Sequence, residues 1–89
     1  MSATRLNPQP KVYVTTATIT RTAGSIVQAS ATIPSYPDYT PVIANARSGG
    51  VTVTVAGGTY ISGNTVSCSV YATSSGQSVV TFTVLYLPD

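Results

Sequence analysis

Apolar and polar positions alternate with a period of two along most of this chain. The clearest run is residues 78–87, where Val80, Phe82, Val84 and Tyr86 fall on one side and Val79, Thr81, Thr83, Leu85 and Leu87 on the other. Alternation of this kind is the mark of a β-strand, because successive side chains point to opposite faces of a sheet. Both sides of this run carry apolar residues, which predicts a strand buried on two faces. Residues 65–72 place Val66, Cys68, Val70 and Ala72 on one side, and residues 26–33 do the same with Val27, Ala29, Ala31 and Ile33. Val51, Val53 and Val55 alternate with Thr52 and Thr54. Further strands are predicted over residues 11–21, 39–46 and 59–61.

The breaks between these runs carry turn chemistry. Thr22-Ala23-Gly24-Ser25, Arg47-Ser48-Gly49-Gly50, Ala56-Gly57-Gly58, Ser62-Gly63-Asn64 and Thr73-Ser74-Ser75-Gly76-Gln77 all read as turns. Residues 34–38 form a stiff loop with Pro34 and Pro37 around Tyr36. No segment shows helical periodicity. Evenly spaced short strands predict an all-β fold, a single antiparallel β-sandwich (jelly-roll or immunoglobulin-like) of about 6–8 short strands. Pro8 and Pro10 oppose regular pairing, so residues 1–10 read as an extended N-terminal arm and residues 11–89 as the sandwich domain. The predicted core is Val53, Val66, Cys68, Val70, Phe82 and Val84.

Composition sharpens this picture. The chain has 89 residues, with 15 threonines and 12 valines, residue types that suit a pleated half-buried surface. A domain of this length buries a modest core and usually gains support from disulfides, a metal or oligomerisation. A lone cysteine forms no internal disulfide. With no histidine and only Asp38 and Asp89 as carboxylate side chains, one chain does not assemble a zinc or calcium site. Oligomerisation is left, and a charged content of 7% fits it, since a free surface normally carries about 25–35% charged residues. The net charge of +2 comes from the scattered residues Arg5, Lys11, Arg21 and Arg47, which does not point to nucleic acid. There is no apolar run long enough for a transmembrane helix and no signal-like N-terminal segment, so membrane insertion and Sec export are not expected.

The same inventory argues against catalysis. Activating a hydroxyl nucleophile calls for a base, and there is no histidine. Paired carboxylates for glycoside hydrolysis are equally wanting. The expectation is no enzymatic activity and no cofactor. Cys68, alternating with Val66 and Val70, reads as a small buried core residue rather than a reactive thiol. Six tyrosines remain, and Tyr36 and Tyr39, on the proline-stiffened loop with Asp38, are the best candidates for a ligand or receptor contact.

Four stretches, SIVQASATIP from Ser25, DYTPVI from Asp38, ISGNTVS from Ile61 and SVVTFTVLYL from Ser78, occur in an order that resembles small β-sandwich virion proteins and fibre-tip domains of tailed bacteriophages. The resemblance covers about residues 24–87. Asp38 stands where such proteins often have glycine, and Ala44-Asn45-Ala46 replaces a glycine-containing continuation. The resemblance implies a virion component, commonly trimeric, assembled in the host cytoplasm among other virion proteins. The expected function is a capsid decoration, head-fibre or collar module docking through Arg5, Leu6, Pro8 and Pro10 of its arm. The alternative is a tail-tip module that touches a host surface glycan or protein through Tyr36, Asp38 and Tyr39.

Overall fold

The structure, a computed structural model, describes residues 9–48 and 53–89, the side chains of 53–57 excepted. Six strands form: β1 (Lys11–Arg21), β2 (Ser25–Thr32), β3 (Tyr39–Ser48), β4 (Val53–Ser62), β5 (Thr65–Ala72) and β6 (Gly76–Pro88). They make two three-stranded antiparallel sheets, ordered β1-β6-β3 and β2-β5-β4. The fold is all-β, as the alternation predicts. β1 lies beside β2 along one flank of the sandwich, and β3 beside β4 along the other.

The two central strands supply most of the core. Val66, Cys68, Val70 and Ala72 of β5 face Val80, Phe82, Val84 and Tyr86 of β6, and all eight are fully buried. Ile19, Ala29 and Ile33 complete the buried set. Burying each large apolar side chain is worth about 1.5–3 kcal/mol, so a shared layer between the two sheets is what holds so small a fold together. Of the predicted core residues, the side chain of Val53 lies outside the described residues, as do Val51 and Thr52 altogether.

Three expectations change. Residues 56–58 do not end a strand. Val53 to Ala56 pair with Ala72 to Ser69, and Tyr60 to Ser62 pair with Ser67 to Thr65, so both halves belong to β4 with an irregularity between Ala56 and Tyr60. The extra residues bulge out of the ladder without reversing the chain. Second, β3 continues through Arg47 and Ser48, which were expected in a turn, because both keep partners on β6. Third, β6 is buried on one face only: on its outer face Val79 is 49% and Leu87 41% exposed.

Turn chemistry follows the backbone. Gly63 has φ +57° at the first position of the two-residue β4–β5 hairpin, the position where a type II′ turn places glycine. Pro41, which lacks an N–H, sits on edge strand β3 beside a bulge between Pro41 and Ile43.

Candidate functional site

The strand directions bring the β1–β2 turn, the end of β3 and the β5–β6 loop to one end of the sandwich. The start of β1, the 33–38 loop, the β4–β5 hairpin and the C-terminal end of β6 lie at the other.

The first, or arginine, end is closed by Arg21. Its Nη1 donates to Ser74 O at 2.7 Å and Ser74 Oγ at 2.8 Å, and its Nη2 donates to Gln77 O at 3.4 Å. Ser75 Oγ accepts from Ala23 N, and Ala72 O accepts from Gly24 N. Arg21 Nε finds no acceptor among the described residues. A guanidinium hydrogen-bonded to a neutral carbonyl and hydroxyl is a charge-assisted clasp on the loop. It spends both Nη groups on the β5–β6 loop and the start of β6.

The second, or tyrosine, end collects the residues singled out from the sequence. Tyr36, Pro37, Asp38 and Tyr39 form a tight turn in which Tyr39 N donates to Tyr36 O at 3.2 Å. Proline at the second position and φ +65° at Asp38 in the third are the pattern of a type II turn, which normally favours glycine there. Asp38 O accepts from Asp89 N, and Asp89 Oδ1 accepts from Thr40 Oγ1, so the turn holds the end of β6.

The tyrosines of this turn are half-buried and pack on the core. The Tyr36 ring meets Tyr86 edge-to-face, with centroids 4.8 Å apart and planes at 79°. Tyr86, fully buried, donates its hydroxyl to Pro34 O at 2.6 Å. Lys11 Nζ stands 5.3 Å from the Tyr36 ring centroid and 5.1 Å from that of Tyr39. Each such cation–ring contact is worth about 0.5–1 kcal/mol at an exposed site. The Tyr39 hydroxyl donates to Gln9 O at 2.7 Å. Burial pushes the Tyr86 phenol above its ordinary value near 10, with smaller contributions from Tyr36 and Tyr13.

The candidate residues therefore divide. Tyr36, Asp38 and Tyr39 gather near the residues entering β1, where Pro10 is exposed; Arg5, Leu6 and Pro8 lie outside the described residues. Val66, Cys68, Val70, Phe82 and Val84 sit in the core, and burial raises the Cys68 thiol above its ordinary value near 9. The sequence reading missed Lys11, Gln9 and Tyr86 as members of the cluster. Their signal is weak, since a lone lysine at a strand start and an alternating tyrosine look structural. It also missed an open groove of about 450 Å³ between the bulged parts of β3 and β4, lined by Pro41, Ile43, Thr59 and Tyr60 among others. The most exposed described tyrosine is Tyr60, at 56%, not Tyr36 or Tyr39.

No family model, curated protein or solved structure matches the chain.

Proposed function

We propose that this chain is a non-catalytic structural module that joins a larger assembly by its tyrosine end, and that the assembly is a bacteriophage virion. The observation that carries the reading is the seat around the segment entering β1. Tyr39 holds the backbone at Gln9, while Lys11 stands over both Tyr36 and Tyr39. Residues 9–11 held in this way give the preceding residues a fixed starting point, which suits an arm that docks on a neighbour. The low charge content supports a surface that meets protein. The virion setting is supported by the resemblance over residues 24–87, within which capsid decoration, head-fibre and collar roles all fit an arm-docked module.

The tail-tip alternative asks Tyr36 and Tyr39 to offer ring faces to a sugar. Lys11 already stands over these rings, and one hydroxyl is committed to Gln9, which favours anchoring over ligand binding.

The test compares particles assembled with the full chain or with a chain beginning at Lys11, the folding of each checked by circular dichroism. The expected result is that the full chain sediments with the particles while the short chain stays folded in the soluble fraction. A short chain that sediments with particles in equal amount overturns the reading.

A further inference from the structure

The two flanks of the sandwich differ in how their strand edges are protected. On the β3/β4 flank, β3 carries Pro41 and a bulge between Pro41 and Ile43, and β4 has an irregularity between Ala56 and Tyr60. Prolines and bulges are the devices that keep an edge from pairing with another chain. The β1/β2 flank has neither. β1 is an edge strand of 11 residues with an unbroken register against β6, and its only charges are Lys11 and Arg21 at its two ends. β2 is an edge strand of eight residues with no charge, no proline and an unbroken register against β5.

We infer that β1 is a pairing edge, and that its occupant is β1 of a second copy of this chain, joined antiparallel about a two-fold axis to make one continuous six-stranded sheet. Three features favour a second copy. The first is self-complementarity. In any such pairing about a residue of β1, opposite residues share a face, so the outward Val12, Val14, Thr16, Thr18 and Thr20 meet one another and the inward Tyr13, Thr15, Ala17 and Ile19 do likewise. β-Branched and aromatic cross-strand pairs of this kind stabilise a sheet. The second is size. A nine-residue antiparallel pairing closes about eight to ten backbone hydrogen bonds, similar to a typical protein interface. The third is charge. Centring on Thr16 would set Lys11 opposite Arg21, whereas centring on Thr15 sets Lys11 opposite Ile19 with Arg21 beyond the pairing, and centring on Ala17 sets Arg21 opposite Tyr13 with Lys11 beyond it, so a one-residue step avoids like charges. The exposed Val12 (61%) and Val14 (57%) then gain neighbours across the seam.

This arrangement is two-fold, in place of the three-fold one that the virion resemblance implies, and it does not depend on the arm. The purified full chain tests it alone, so it and the virion reading can fail separately. Sedimentation from micromolar to millimolar concentration is expected to show conversion from one chain to two. Amide hydrogen exchange by NMR across that range is expected to show a distinctive pattern. In β1, alternate amides face β6 and are protected throughout, while the intervening amides gain protection on the order of tenfold or more only in the dimer. Ile43→Glu, on the outer face of the β1-β6-β3 sheet but at its far edge, is expected to leave the dimer intact. A mass of one chain, or of three, overturns the inference. So does a dimer in which the intervening β1 amides stay unprotected, or one lost in Ile43→Glu, either of which means packing through the sheet face.

Discussion

At one end of the sandwich Arg21 spans from β1 to Ser74 and Gln77, and each contact closes a turn of the fold on itself. At the other end Lys11 and Tyr39 hold the residues entering β1, while Tyr86 and Tyr36 brace the turn beneath them. Both ends use a cation from β1 and loop polar groups. They differ in what is held. The arginine end turns both Nη groups of Arg21 onto its own loop and the start of β6. The tyrosine end spends aromatic surface and a buried hydroxyl on positioning residues 9–11 and the turn at Asp38. The difference teaches that one end closes the fold on itself while the other positions the residues entering β1, and substitutions can pull the two apart.

The largest expected effect falls on what both ends share. Phe82 is fully buried midway along β6, and Phe82→Ala should cost about 3–5 kcal/mol. Chemical denaturation should show both ends lost together in one transition. Loss of only one end would mean that the ends are separate folding units.

Gly76→Ala tests the arginine end. Gly76 has φ +147°, and an added Cβ would lie 2.6 Å from Arg21 Nη2. The expected cost is about 1–3 kcal/mol. Part of it should vanish in an Arg21→Ala background, because the guanidinium is then no longer in the way. A cost unchanged in that background would assign all of it to the backbone.

Tyr86→Phe tests the tyrosine end. It leaves Pro34 O without its donor, at an expected cost of about 1–2 kcal/mol. It should also alter the pH dependence. Because the folded-state phenol is raised above its ordinary value near 10, the unfolded chain gives up that proton first. The stability from this group is complete below about pH 10 and is lost as pH rises through the folded value. Denaturation midpoints should therefore fall above pH 10, and fall less steeply in the variant. An equal slope in both would remove Tyr86 from the account.

The smallest effect is a gain. Asp38 occupies a left-handed conformation with φ +65°, so Asp38→Gly should stabilise the fold by about 0.5–1 kcal/mol in a denaturation series. A loss of similar size would mean that the Asp38 side chain contributes more than its backbone strain costs.

Much of this fold is legible in the alternation. Periodicity places β1 and β5 at their observed bounds and separates the buried Val80, Phe82, Val84 and Tyr86 from the outer side of β6. It fails at Ala56-Gly57-Gly58, because glycines that mark a turn also permit a bulge, and only pairing with β5 decides between them. It fails again for the outer face of β6, where an apolar pattern shows a preference for burial but not whether a covering layer exists. The candidate site is legible in part. Pro34 and Pro37 announce a stiff loop around Tyr36, but the meeting of Lys11 with Tyr36 and Tyr39 depends on how β1 and β3 flank β6. Sheet order of that kind is not written in local sequence.

The central claim is that the tyrosine end is the attachment end. Electron cryo-microscopy of particles bearing the chain tests it most directly, since a sandwich with distinct ends has a readable orientation. The account predicts Tyr36, Tyr39 and Lys11 facing the particle, with density for residues 1–10 continuing into a neighbouring subunit and the Arg21–Ser74 end pointing to solvent. The reverse orientation, with Arg21 and Ser74 buried against the particle and Tyr39 exposed, would contradict it.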